Sequence, residues 1–247
     1  MRKPFARTLS VAKQKGIRSA LNVSAGEIKR QLKLSQNLWR FRLIKSWKPF
    51  IFDGTKYRYF YHKYNVTWQN ERTVEIPIVW EIIKRHPNAR VLEFGNVLQH
   101  YHSFPHDIVD KYEKGKGVLN QDIVNLDLGK YDLIVSISTL EHVGWDENPD
   151  KNESKLDAPE KTLQAVNNLK RHLNPGGMLV FTFPVGANPN LDAIMKDRKI
   201  GFTKVFCMKR ISADDRWRQT VWEDIENSRY DAPFPAANGL VIGIINA

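Results

Sequence analysis

Short apolar runs, each closed by polar or turn-forming residues, recur through the last two-thirds of the chain. Val91–Phe94, Asp107–Val109, Gly117–Val118, Leu133–Ser138 and Met178–Phe183 have the length and composition of buried strands. Lys204–Ser212 and Leu240–Asn246 add two more. Between them the spacing turns helical. One helix is predicted from Glu75 to Arg85. Another carries Leu163, Val166, Leu169 and Leu173, opens at the capping box Asp157-Ala-Pro-Glu160 and stops at Asn174-Pro-Gly-Gly177. Strands alternating with helices predict an α/β fold: a largely parallel sheet of about seven strands, covered by helices on both faces.

Ahead of this core the pattern differs. Ser24-Ala-Gly-Glu27 is a capping box, and a helix should follow it with Ile28, Leu32, Trp39 and Leu43 on one side. Lys29, Arg30, Lys33, Arg40 and Lys45 are interspersed, and Lys48-Pro49 should end it. Such a basic amphipathic helix could lie on an anionic membrane surface or pack against the main domain with its charges solvated. Residues 50–74 are dense in aromatics, with Phe50, Phe52, Tyr57, Tyr59, Phe60, Tyr61, Tyr64 and Trp68. They read equally well as a pocket wall or lid and as a linker. The expected organisation is therefore an arm over 1–49 and a domain over 50–247, whose α/β core spans 75–247.

Charge sharpens this division. The chain of 247 residues has a net charge of +11, which suggests nucleic acid until it is located. Residues 1–50 hold thirteen Lys/Arg against the single acid Glu27, a net of +12, which leaves the rest of the chain at −1. A nearly neutral domain weakens the nucleic-acid reading. The single cysteine, Cys207, has no partner for an intramolecular disulfide, and its apolar neighbours suggest a buried thiol in a reducing cytoplasm. No apolar run approaches the roughly 18 residues that span a bilayer. The first residues lack the apolar core of a signal peptide.

The stretch Arg90-Val-Leu-Glu-Phe-Gly-Asn-Val-Leu-Gln-His-Tyr101 carries the candidate chemistry. It reads as a buried strand that turns at Gly95, with Glu93 near its carboxyl end. This is how the ligand-binding half of many nucleotide-binding folds begins. The further glycines that let a dinucleotide pyrophosphate approach are replaced by Asn96, Val97, Leu98 and Gln99, which disfavours NAD. Asp110, 17 residues after Glu93, stands where a second-strand acid can accept from both hydroxyls of a ribose.

The succession Val91-Leu-Glu-Phe-Gly95, Ile108-Val-Asp110, Asp122-Ile123, Tyr131-Asp-Leu-Ile-Val-Ser-Ile-Ser-Thr-Leu-Glu-His-Val143 and Leu173-Asn-Pro-Gly-Gly-Met-Leu-Val-Phe-Thr182 resembles class I S-adenosylmethionine-dependent methyltransferases. The motifs cover roughly residues 75–185. The Gly-Asn-Val-Leu loop is similar to methyltransferase-like proteins found among surface-polysaccharide genes. The resemblance implies a Rossmann-like class I methyltransferase fold and S-adenosylmethionine as cofactor, a ligand without phosphate that a bulkier loop can admit. It implies a cofactor site of Glu93, Gly95, Asn96, Asp110, Lys111, Asp122, Ile123 and Ser138. In that site Lys111 and Tyr112 flank the adenosine and Asp122 accepts the adenine amino hydrogen.

His142, just beyond the fourth strand, is the candidate general base for a hydroxyl acceptor; the alternative is that it packs against the cofactor or caps a turn. Glu141 beside it reads as structural or as a hydrogen-bonder inside the pocket. His100, His102, His106 and Asp107 suggest a metal, but no second ligand cluster has recognisable spacing, so no metal site is expected. The acidic run Asp146, Glu147 and Asp150 reads as solvated loop charge. Trp145, Phe183, Pro184, Asn188 and the stretch Ile211–Thr220 could meet the acceptor. No Asn/Asp-Pro-Pro-Tyr/Phe motif of amino-methylating enzymes follows the fourth strand. The expected function is methyl transfer to a small polar acceptor, an oxygen of a sugar or sugar-linked metabolite. The alternative is a non-catalytic scaffold in a glycan-assembly complex. Contact with a membrane periphery or a protein is assigned to the arm, at the inner face of the membrane.

Overall fold

A computed structural model of the chain describes residues 29, 32–43, 48–145 and 158–247. Eight strands form the central sheet: β3 (Val91–Phe94), β4 (Asp107–Val109), β5 (Val118–Leu119), β6 (Tyr131–Ile137), β7 (Leu173–Pro184), β8 (Lys204–Arg210), β9 (Trp217–Thr220) and β10 (Gly239–Asn246). They lie in the order β5-β4-β3-β6-β7-β10-β8-β9. The first five neighbours pair in parallel, whereas β10 is antiparallel to both β7 and β8, and β9 is antiparallel to β8. Strand order reverses between β3 and β6, which makes the sheet doubly wound and Rossmann-like, the expected fold class.

Two apolar layers cover the sheet. On one face, α3 (Ala158–Arg171) and α4 (Pro189–Lys196) bury Ala165, Val166, Leu169, Leu191 and Ile194 against Ile134, Phe181 and Val241. On the other, α2 (Arg72–Arg85) and the aromatic segment pack Val74, Ile78, Val79 and Trp68 against Leu133, Val135 and Ile242. Alternate residues of β6 thus face opposite cores, as the two-residue repeat of a strand requires.

Several boundaries differ from the sequence reading for identifiable reasons. Helix α2 begins at Arg72, before Pro77, not at Glu75. Pro77 has no N–H to give the carbonyl of Thr73, four residues earlier. That carbonyl instead accepts the N–H of Phe60 at 2.9 Å, so the proline frees an acceptor that anchors the aromatic segment. The segment 50–74 contains a hairpin, β1 (Phe50–Phe52) and β2 (Thr55–Tyr57), turned at Asp53-Gly54 with both residues at positive φ. Asp-Gly is a favoured pair for such a turn. Asn174-Pro-Gly-Gly177 does not separate a helix from a strand but lies within β7. Leu173 pairs with Tyr131, and pairing resumes at Met178 with Leu133. Four residues thus bulge outward against one on the partner strand, with Gly176 at φ +77°. Strand β9 falls inside Ile211–Thr220, and β6 ends at Ile137, leaving Ser138 in the following turn.

Residues 32–43 form a helix, α1. Its packed face is Leu34, Leu38 and Phe41, with Phe41 stacked on Trp68 at 5.9 Å and the Arg42 guanidinium donating to the carbonyl of Tyr61. Leu32, Trp39 and Leu43 do lie together, but on the outer face, 59%, 62% and 64% exposed. The capping box at 24–27, Ile28, Arg30, Lys45, the cap residue Asp157 and the acidic run 146–150 lie outside the described residues. Among the described residues no helix is long and apolar enough to cross a membrane.

Candidate functional site

The carboxyl ends of β3, β4 and β6 meet beside the point where strand order reverses. Gly95 leaves β3 at φ +92°, a left-handed value that favours glycine. Its N–H donates to the carbonyl of Val109, and a Cβ placed on it would lie 2.1 Å from the Thr139 Oγ1 of the turn after β6. The absent side chain lets these two loops touch.

Glu93 is fully buried and points back into its own loop. Its Oε1 accepts the N–H groups of Val97 and Leu98 at 2.8 and 2.6 Å, and its Oε2 faces His106 Nε2 at 2.9 Å. The carboxylate caps the 3₁₀ turn Leu98–His100 by accepting loop N–H groups of the kind that a dinucleotide loop offers to its phosphate. Asp110 ties the same loop to the next. Oδ1 accepts from the N–H groups of Tyr112 and Glu113, and Oδ2 accepts from the Asn96 N–H at 3.1 Å. A carboxylate oxygen has about two acceptor positions, so Oδ1 is filled and Oδ2 keeps one. Asn96 is buried and its Oδ1 has no hydrogen-bond partner.

Asp122 accepts the Val124 N–H and lies 3.0 Å from Lys111 Nζ and 3.4 Å from Lys161 Nζ. Burial pushes its carboxyl up, but the Val124 N–H and the two ammonium groups outweigh that and hold it below the usual range. Lys111 therefore bridges Asp122 and the ring of Tyr112, 5.2 Å away. Ile123 is 2% exposed and belongs to the core beside α3. Ser138, at φ +37°, donates its hydroxyl to Glu75 Oε1 at 2.7 Å. Of the expected cofactor residues, Glu93, Gly95, Asn96 and Asp110 meet in one network, Lys111 and Asp122 form a second, and Ile123 and Ser138 join neither.

The three histidines belong to an aromatic ladder. His100 stacks on Tyr64 at 4.0 Å and pairs with Glu113; His102 stacks on Trp80 at 3.9 Å; His106 stacks on Phe104 at 4.0 Å. Each ring presents its face to an aromatic neighbour, and none converges with another on one point. Among the described residues no group of His, Cys, Asp and Glu has the geometry to hold a metal.

One constellation has no counterpart in the sequence reading. Glu71, Glu75 and Glu141 lie within electrostatic reach of Arg72, and all three residues are buried at 0–6% exposure. Arg72 Nη1 lies 2.5 Å from Glu75 Oε2, and Glu71 Oε2 accepts the Ala237 N–H. Glu141 Oε2 has no partner, nor does the buried hydroxyl of Tyr101. Burial raises the Glu141 carboxyl well above its ordinary range, and burial, then Glu75, raises Glu71. The clue lay in Glu71-Arg-Thr-Val-Glu75, whose four-residue spacing puts both acids on one helical face. His142 lies on the outer side of the same turn, 56% exposed, with Nε2 3.8 Å from Glu141 Oε1. Asn188 is used structurally: Oδ1 caps α4, and Nδ2 donates to the Glu141 carbonyl at 2.7 Å. Phe183 is fully buried in the core.

No family model matches the chain, and no curated protein matches it. Solved structures do resemble it. The N-methyltransferase NodS from Bradyrhizobium japonicum WM9, in complex with S-adenosyl-L-homocysteine, is 14% identical over 71% of this chain and 90% of its own, with a TM-score of 0.40. TehB from Haemophilus influenzae is 14% identical over 74% and 64%, at 0.40. An S-adenosylmethionine-dependent methyltransferase from Clostridium acetobutylicum ATCC 824 is 12% identical over 67% and 88%, at 0.34. Likeness at this level does not assign a function, and the fold stands on this chain's own strand order.

Proposed function

We propose that the chain is an S-adenosylmethionine-dependent methyltransferase acting on a small polar acceptor, an oxygen of a sugar or sugar-linked metabolite. The observation that carries this reading is the convergence of Gly95, Asn96 and Asp110 at the carboxyl edge of the sheet, with an orphaned amide oxygen on Asn96 and an open acceptor position on Asp110 Oδ2. An orphaned buried acceptor costs about 1–3 kcal/mol, which a ligand donor would recover. The cofactor carries such donors, an ammonium and ribose hydroxyls, and the residues fit it: Asn96 Oδ1 would take the first and Asp110 Oδ2 one of the second. When bound, S-adenosylmethionine supplies a methyl group on a sulfonium leaving group.

The chain's own part is positioning and proton handling. Gly95 and Thr139 hold two loops in contact and fix the bound molecules relative to one another. His142, exposed above Glu141, can take the proton of an acceptor hydroxyl and pass it to water. Calorimetric titration of the full chain with S-adenosylmethionine tests the reading. Binding should appear at or below millimolar cofactor and weaken about tenfold or more in Asp110→Asn, which keeps one oxygen but removes the charge. No binding at millimolar cofactor overturns it.

The second reading is a methyltransferase-like scaffold without turnover. Three of the four acceptor positions on Asp110 already serve backbone N–H groups, and Glu93 is spent on its own loop. Cofactor binding without methyl transfer to any hydroxyl acceptor would favour it.

A further inference from the structure

Burying a charge is costly unless it is paired, so the carboxyls around Arg72 beyond its ion-pair partner Glu75 favour the neutral form and ionise only when a further cation arrives. Three carboxyls share one guanidinium. Glu75 satisfies Arg72 directly and takes the Ser138 hydroxyl on its other oxygen, so the ion pair is complete. Glu71 has the Ala237 N–H. Glu141 is left, its side chain 4% exposed, one oxygen 3.8 Å from an exposed imidazole and the other without a partner. A wholly structural cluster would replace such a group by an apolar side chain at little cost.

Arg72 lies within electrostatic reach of all three glutamates; the Tyr101 hydroxyl lies within reach of Arg72, Glu71 and Glu75, and that of Tyr230 within reach of Arg72, Glu71 and Glu141. Tyr230 is 38% exposed and stands on a loop held by Asn238, whose side-chain amide donates to the carbonyls of Arg229, Phe234 and Ala236. The Glu71–Ala237 bond ties that loop to α2. The cluster begins two residues beyond Thr139, the residue in contact with Gly95, at the edge of the sheet where the cofactor is proposed to bind.

We propose that the Glu71–Arg72–Glu75–Glu141 cluster binds a small polar molecule through its primary ammonium group, an amino sugar being the simplest such acceptor, with Glu141 Oε2 receiving an ammonium N–H. This deepens the methyltransferase reading, on which it rests, by naming the acceptor class. The ammonium supplies the cation that Glu141 needs once it ionises. A neutral sugar would meet Glu141 as a single hydrogen bond, and an anionic one would add a fourth acid to the group. Because burial favours the protonated Glu141 carboxyl, the arriving ammonium displaces a proton, which leaves for solvent past His142.

The test uses the full chain and three hexoses that differ in charge: glucosamine, glucose and glucuronate. S-Adenosylmethionine binding is measured first in each preparation. Glucosamine should bind at least about tenfold more tightly than glucose, with glucuronate weakest, and should release protons, read as a binding heat that changes with the ionisation heat of the buffer. Glu141→Gln, the same shape without the charge, should abolish both the preference and the proton release. Should that variant lose its cooperative melt, Glu71→Gln should still reduce the preference. Glucosamine binding no better than glucose while the cofactor binds would overturn this inference and leave the methyltransferase reading intact. Failure of cofactor binding with the preference intact would overturn that reading alone. A preference that survives both substitutions would show that the cluster is not the site.

Discussion

Gly95 shows how one atom decides the architecture of the candidate site. An L-residue in a left-handed conformation costs roughly 1–2 kcal/mol, and forcing a methyl into packed surroundings adds about 1–3. Gly95→Ala meets both penalties, because its Cβ would fall on the Thr139 side chain. The substitution should therefore lower stability by about 2–5 kcal/mol, read from denaturant midpoints at unchanged slope. Adding Thr139→Gly should recover the packing share and leave the backbone share. Full recovery would show that the backbone conformation carries no strain. His106 gives a second prediction from a single side chain. Burial opposes its charge, but the hydrogen bonds to Glu93 and to the Phe104 carbonyl prevail, and its pKa is raised above the ordinary histidine value. A raised histidine stabilises the fold fully below the unfolded pKa and loses that contribution as pH rises through the folded one. The stability difference between wild type and His106→Gln should be about 1–3 kcal/mol near pH 5 and shrink from about pH 6.5 upward. His102 shifts the opposite way through burial and near His62, so the wild-type curve alone would mix the two; the difference between the proteins isolates His106.

At the scale of elements, the inner strands were legible because strands covered on both faces read as continuous apolar runs, as Leu133-Ile-Val-Ser-Ile137 does. What escaped was set by tertiary partners. Nothing local says that Pro77 sits inside α2, since the hydrogen bond it forfeits is replaced by one from Phe60, a residue outside the helix. Asn174-Pro-Gly-Gly177 has every local mark of a turn and behaves as one, yet it lies within a strand because Leu173 pairs with Tyr131 before the excursion. Helix α1 carries two apolar stripes, and periodicity cannot say which one faces the domain; the aromatic partners Trp68 and Tyr61 choose Phe41 and Leu38. The loop acids were visible as Glu93, Asp110 and Asp122, but their partners were not, because a carboxylate at a strand end serves a ligand and its own loop equally well. The Glu71–Arg72–Glu75–Glu141 cluster was hidden for the same reason. Only the packing of α2 against the turn after β6 brings Glu141 to the pair four residues apart on the helix.

Over the whole molecule, the separation of charge acquires a surface. Helix α1 inserts Leu38 and Phe41 into the domain and turns Leu32, Trp39 and Leu43 outward, with exposed Lys29, Lys33 and Arg40 on the same short segment. Removing the arm would strip core contacts along with the outer stripe, so deletion is a poor probe of its surface chemistry. Replacing Leu32, Trp39 and Leu43 by serine or glutamine keeps the packed face and should leave the melting temperature nearly unchanged. A basic helix with an apolar outer stripe binds anionic bilayers by area and charge together, each cation near the surface being worth about 1 kcal/mol. We propose that this face rests on an anionic membrane. Wild-type protein should then pellet with vesicles containing anionic lipid, far less with neutral vesicles, and progressively less as salt shortens the screening length. The triple variant should lose about tenfold or more of that binding at equal stability. Equal pelleting of variant and wild type would remove the outer stripe from membrane contact and leave the +12 charge of residues 1–50 as the whole source of any attraction.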